Sequence, residues 1–259
     1  MNSSKNYKDI MYKISNIIES LWNQSMNRNV LNMISLLEKD PKAVVLDVGC
    51  GDGVYTMQFK QKIGCKKIMG IEGNTKRIMM AKENGVDKIV SADLEKKWPF
   101  ADESFDVIIS NQVIEHMVSI DNFISEVYRL LTPGGYCVIS TENLSGWHNI
   151  GALVLGYQDF SHNLISKKHV GNPMSIHFGE KTSAWEKKAM SHGGDSMYPH
   201  MKIPTYRSLI NIFKAFDFTF VDGKGSGYYP FFGILGALVA SIDPYHCHFI
   251  TVKMRKSKK

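Results

Sequence analysis

The stretch Val44 to Thr56, VVLDVGCGDGVYT, constrains the fold of this chain more than any other. A short apolar, β-branched run passes directly into glycines at 49, 51 and 53 and then into a helix-forming segment. Glycine is needed where the backbone turns sharply with positive φ, or where a ligand must approach the main chain closely. A helix opening after such a turn presents unpaired N–H groups. Strand, glycine loop and helix in that order begin a βαβ unit. The expectation is a parallel sheet with its ligand at the carboxyl ends of the strands.

The rest of the chain keeps that rhythm. Short β-branched runs recur at Ala43–Val48, Lys67–Ile71, Lys88–Val90, Phe105–Ser110 and Gly135–Thr141, separated by helical stretches near 53–63, 75–84 and 119–131. Residues 5–38 carry apolar positions at helical spacing (Ile10, Ile14, Ile17, Ile18, Leu21) until Asp40–Pro41 breaks the pattern. After Thr141 the alternation lapses until a helix near 205–216, a strand near 217–224 and a last strand near 246–254. These final strands are expected to pair antiparallel at the sheet edge.

The predicted fold is therefore α/β: a Rossmann-like, seven-stranded, mostly parallel sheet with an antiparallel edge strand, N-terminal helices, and a cap inserted after the fifth strand. One domain spans 1–259, divided into N-terminal helices (1–40), a cofactor-binding core (41–141), a cap (142–203) and a C-terminal helix with edge strands (204–259). The cap is too long for a plain loop in a compact domain.

A dinucleotide fingerprint reads G-x-G-x-x-G or G-x-G-x-x-A. Here the third glycine comes one residue early and position 54 is Val. Asp47 and Asp52 also flank the loop, badly placed beside a pyrophosphate but suited to a ligand with an ammonium and a sulfonium. At this point the sequence resembles the class I S-adenosylmethionine-dependent methyltransferases, whose first motif is D-x-G-x-G-x-G. The resemblance continues through Glu72 at the end of the second strand, Ala92–Asp93–Leu94, WPFADESFDVIISNQVIEHM (98–117) and LLTPGGYCVIST (130–141). It covers residues about 43–141, and the broad small-molecule group that includes the ubiquinone and menaquinone enzymes is the most similar. The C-terminal third departs from that group, with phrases such as ENLSGWHN and DPYHCH.

The resemblance implies S-adenosylmethionine as cofactor. It implies that Asp47, Gly49, Cys50, Gly51 and Gly53 shape the pocket for its methionine end, that Glu72 and Gly73 hold the ribose, and that Asp93 and Leu94 contact the adenine. Asn111, Gln112 and Val113 would line the methyl-donor region. Transfer of an activated methyl rests on positioning and on managing one proton. His116, after the fourth strand, and His148, past the fifth, are the candidate bases; Glu142 is a candidate for orienting the acceptor. No metal is expected, because the cap histidines His162, His169, His177, His192 and His200 include no i,i+4 pair and no nearby cysteine ligand.

The acceptor is expected to be a small molecule, or a lipid- or glycan-linked one, methylated at oxygen. The alternatives are an RNA methyltransferase and a non-catalytic S-adenosylmethionine-binding protein. Position 110–113 reads Ser-Asn-Gln-Val where base-amino methyltransferases carry N-P-P-Y or D-P-P-Y, so nucleic acid is not the expected partner.

The formal charge of +6 is concentrated partly in the tail (Lys253, Arg255, Lys256, Lys258, Lys259). That tail and the apolar segment 229–243 are candidates for peripheral membrane contact. The run Phe231–Ile242 is too short to span a bilayer. The N-terminus does not read as a signal peptide, and the four cysteines have no metal or disulfide spacing. The expected location is cytoplasmic.

Overall fold

The computed structural model describes residues 20–162 and 200–258. Seven strands form one sheet in the order β3-β2-β1-β4-β5-β7-β6. The first five are β1 (Val45–Val48), β2 (Ile68–Ile71), β3 (Lys88–Val90), β4 (Phe105–Asn111) and β5 (Leu131–Glu142). All pair parallel. The last two, β6 (Phe218–Ser226) and β7 (Phe249–Lys256), pair antiparallel with each other, and β7 also runs antiparallel to β5. The one strand running against the rest is thus β7, a position in from the edge.

Period-two alternation divides the apolar side chains between two faces. Leu46, Ile108, Ile139 and Val252 belong to a core completed by helices α4 (Ile120–Leu130) and α6 (Tyr206–Ala215). Val45, Val107, Ile109 and Val138 point to the other face, covered by helix α1 (residues 20–36) and α2 (Val54–Ile63). Helix α3 (Thr75–Glu83) closes the β2–β3 end and is capped by Asn74, whose side chain accepts from the N–H groups of Lys76 and Arg77.

Past β5, helix α5 (Trp147–Val154) begins the expected cap. The remainder of that insertion, 163–199, lies outside the described residues, as do His169, His177 and His192. Helix α7 (Gly233–Ile242) and a 3-10 turn, Pro244–His246, connect β6 to β7. Among the described residues no helix is long and apolar enough to cross a membrane. All four cysteines are buried and unpaired.

Trp98 and Phe123 pack edge to face, ring centres 5.5 Å apart, as a fully buried pair under α4. Phe123→Ala is expected to lower stability by about 3–5 kcal/mol. A denaturation curve should show a lower midpoint with an unchanged slope.

Candidate active site

The loop after β1 is built by its glycines. Gly49, Gly51 and Gly53 have φ of 72°, 56° and 83°, values that side-chain-bearing residues rarely adopt. A Cβ on Gly49 would lie 2.4 Å from Val113 Cγ2, and one on Gly53 would lie 2.7 Å from Val86 Cγ2. A Cβ on Gly51 would meet nothing within 4 Å. The outer glycines are thus required by the fold, whereas the middle one faces open space. The N–H groups of Gly49 and Cys50 both bond the carbonyl of Ile71, at 2.9 and 3.0 Å, which ties the loop to the end of β2.

Two buried carboxylates border this loop. Glu72 accepts from Gly51 N–H at 3.0 Å through one oxygen and from Asn74 N–H at 2.9 Å through the other. Asp47 is held by the Thr56 hydroxyl at 2.5 Å. Burial raises the Asp47 carboxyl to about 7, outweighing the Thr56 bond, and the charge of Glu72 adds to the rise. Burial likewise pushes the Cys50 thiol upward, which makes it a packing group; its Sγ occupies the space a Cβ at Gly70 would need. Gly73 is open, its nearest neighbour being the Ala92 carbonyl at 3.8 Å from an added Cβ. Asp93 is at the surface, bonded by the Glu95 N–H at 3.0 Å. Leu94 packs against the core.

The end of β4 completes this side. Asn111 Oδ1 accepts from Asn29 Nδ2 at 3.0 Å, and Gln112, at φ 56°, donates to Ser140 Oγ at 3.0 Å. Asn29 also accepts from Ser140 and Thr251, at 2.9 and 2.8 Å, and is wholly buried.

Next to these residues lies a buried polar cluster. Glu115 and His116 sit on a 3-10 turn after β4. The Glu115 carbonyl accepts from the N–H groups of Met201 and Lys202, at 2.7 and 3.1 Å, which brings His200 alongside. The rings of His116 and His200 are 4.8 Å apart. His200 Nδ1 lies 3.7 Å from one oxygen of Glu142, and His248 Nε2 lies 3.7 Å from the other. His248 stacks on His148 at 4.6 Å and 15°, and Tyr229 packs edge-on against both. The cluster therefore runs without a break from Glu115 and His116 through His200, Glu142 and His248 to His148.

Its electrostatics are unusual. Burial raises Glu115 to about 7, against the opposing charge of His200. Burial also disfavours the charged form of Glu142, but the nearby His200 and His248 prevail and hold it well below the usual carboxylate range. Burial and the charge of His248 push His148 far down, so its ring is neutral. Glu115 Oε1, Glu142 Oε2 and both ring nitrogens of His148 and of His248 are buried without a hydrogen-bond partner among the described residues. Buried polar atoms are nearly always satisfied, so this concentration singles out the cluster as a candidate site.

Of the residues proposed from sequence, His116, His148 and Glu142 thus fall in one cluster. Sequence reasoning missed Glu115, His248, Tyr229 and Asn29, and it left His200 among the cap histidines. His248 was discoverable in principle: Phe249 pairs with Glu142 across the β5–β7 ladder, which places His248 immediately beyond it.

Residues 46–139 match the family described as a methyltransferase domain. The strand order and the glycine loop agree with it. Within residues 46–139 the chain carries a methyltransferase domain, and its fold is that of S-adenosylmethionine-dependent methyltransferases. An S-adenosylmethionine-dependent methyltransferase from Mesorhizobium loti shares its fold, with a TM-score of 0.57 at 16% identity over 86% of this chain and 95% of that one. A ubiquinone biosynthesis O-methyltransferase of Chelativorans sp. is 30% identical over 123 residues, 43% of this chain and 48% of that protein. A sterol 24-C-methyltransferase of Pneumocystis carinii is 37% identical over 97 residues, 35% of this chain and 26% of that protein. The matched segment thus spans about half, or less, of these curated relatives. The two differ in the atom they methylate, so the likeness describes the domain and leaves the acceptor open.

The residues present fit this family's cofactor. Gly51 leaves open the space a side chain would fill, Asp47 supplies a buried carboxyl, and each Glu72 oxygen keeps a lone pair for a hydroxyl donor.

Gly49→Ala is expected to destabilise the protein through the clash with Val113 and through a left-handed backbone cost of about 1–2 kcal/mol. Adding Val113→Ala should recover the clash component and leave the backbone cost. A double-mutant cycle on unfolding free energies separates the two.

Proposed function

We propose that this protein transfers the methyl group of S-adenosylmethionine to a hydroxyl oxygen of a small, partly apolar molecule. The observation that carries the reading is the concentration of unpartnered buried polar atoms on Glu115, Glu142, His148 and His248, beside the glycine loop. In this reading the 49–53 loop with Cys50 and Asp47 receives the methionine end of the donor, and Asp47 faces its ammonium. Glu72, with Gly73 open beside it, takes the ribose hydroxyls, and Asp93 and Leu94 border the adenine. Asn111, Gln112 and Val113 form the floor near the methyl.

Bound S-adenosylmethionine supplies a methyl on a positive sulfur, which leaves as neutral thioether when the acceptor oxygen forms the new C–O bond. The chain's part is to orient that oxygen and accept its proton. Of the two imidazoles suggested by sequence, His148 is assigned the acceptor role, because both its ring nitrogens are buried without a partner among the described residues. The Glu142 carboxylate stabilises the imidazolium that forms. His116, whose ring contacts His200, positions the acceptor end.

The apolar part of the acceptor is assigned to a cavity of about 320 Å³ bounded by Leu21, Tyr229, Phe231, Phe232 and Ile234. The same Tyr229 packs against His148 and His248. This supports an amphiphilic acceptor over a nucleic acid.

The direct test is transfer of labelled methyl from S-adenosylmethionine to fractions of a metabolite extract, with total RNA as the competing acceptor. Labelling confined to hydroxyl-bearing, partly apolar compounds supports the reading, and labelling confined to RNA contradicts it. His148→Ala should lower kcat about 100-fold or more with donor affinity within about threefold of the parent. Equal loss of donor binding would remove His148 from the proton-transfer role.

Asp47 adds a pH signature. Its raised carboxyl favours the protonated folded state, so its contribution to stability is complete below the unfolded value near 3.8 and is lost as pH rises through about 7. Glu115 acts in the same direction. A cationic donor prefers ionised Asp47, so donor affinity should rise over that same interval, with proton release on binding. Calorimetry in buffers of different ionisation enthalpy reads this. Absence of proton release near pH 6 would contradict the assignment.

A further inference from the structure

We propose that Glu115, His116 and His200 form a binding site for a divalent transition-metal cation with open coordination positions. The binding claim stands on these residues alone; only the use suggested for the cation rests on the transferase reading above.

Each of the three side chains offers one ligand atom, and these atoms lie within 4.8 Å of one another. Two imidazoles and one carboxylate form a donor set suited to zinc, manganese or iron(II), and fewer than four protein ligands leave positions for water or substrate.

The surroundings are those of a prepared site. Glu115 is fully buried; Oε2 is fixed by the Thr141 hydroxyl at 2.8 Å, and Oε1 has no hydrogen-bond partner among the described residues. A buried carboxylate normally requires a counter-charge, and among the described residues Glu115 has no ion pair with lysine or arginine. His200 Nδ1 is bonded to the Ser161 carbonyl. That oxygen only accepts, so the ring donates to it through Nδ1. Metal-binding imidazoles are commonly oriented in this way, through a carbonyl or carboxylate on the second nitrogen. Glu142, 3.7 Å from that same Nδ1, adds negative charge behind the ligand.

The backbone holds the three together. Glu115 and His116 are adjacent on the 3-10 turn after β4, and the Met201 and Lys202 N–H bonds to the Glu115 carbonyl fix the segment bearing His200 against that turn. The turn follows Asn111, Gln112 and Val113, assigned above to the donor. A cation here lies where an acceptor hydroxyl has to be presented. It would polarise that oxygen and favour loss of its proton, with no change in oxidation state.

The test uses the full chain, stripped with EDTA and titrated with Zn2+ by calorimetry and with Co2+ by visible absorption. One equivalent per chain is expected, with the absorption of a low-symmetry N/O site. Glu115→Gln and His200→Ala should each weaken binding about 100-fold or more, while His246→Ala, which is none of the three ligands and is paired with Asp243, should leave it unchanged. S-adenosylmethionine affinity, measured on each variant, verifies that the domain is folded; if Glu115→Gln fails this check, His116→Ala takes its place. Absence of stoichiometric binding, or equal binding in the variants, overturns the site. Cation binding without methyl transfer would contradict the transferase reading and leave the site standing. Undiminished transfer after stripping, with no cation bound, would remove the site and leave the reading.

Discussion

The contact between Gly49 and Val113 sets the geometry on which the rest of the site depends. The two loops that leave the central strands β1 and β4 approach so closely that a single methyl group on Gly49 would penetrate Val113. That approach puts the glycine loop and the Asn111–Val113 segment side by side at the carboxyl edge of the sheet. Only a backbone with positive φ and no side chain achieves it. The middle glycine, Gly51, has no such neighbour. Its conformation serves the loop, and the space in front of it is open.

Around this contact, two kinds of buried polar group are arranged in opposite ways. Asn29 is wholly enclosed yet fully engaged, joining α1 to β4, β5 and β7 through Asn111, Ser140 and Thr251. It is structural cement, since satisfied buried hydrogen bonds rigidify what they connect. The cluster from Glu115 to His148 is enclosed but unsatisfied. Each unpartnered atom costs about 1–3 kcal/mol, which a fold gains nothing by keeping for packing alone. Rigid support next to unsatisfied groups is the expected construction of a site whose partner is a ligand.

The glycine loop and the strand ends around it were legible in the sequence, and the buried polar cluster mostly was not. Asp47 to Gly53, Glu72, Asp93 and Asn111 to Val113 lie in or just after the carboxyl ends of β1, β2, β3 and β4, so local patterning places them at one edge of the sheet. The strand positions followed from β-branched runs, and the antiparallel pairing of the last two strands was recovered as well. The cluster, by contrast, draws Glu115, Glu142, His148, His200 and His248 from separate segments. His200 arrives through backbone bonds to the Glu115 carbonyl, which no side-chain pattern encodes. Histidine spacing along the chain likewise could not reveal that His116 and His200, 4.8 Å apart ring to ring, share a site with a carboxylate.

The central claim is that the loop between β1 and α2 receives S-adenosylmethionine rather than a dinucleotide. A calorimetric titration of the full-length chain with S-adenosylmethionine and, separately, with NAD tests it most directly. The account predicts saturable one-to-one binding of S-adenosylmethionine and none of NAD at comparable concentration. Binding of NAD with no binding of S-adenosylmethionine would contradict it.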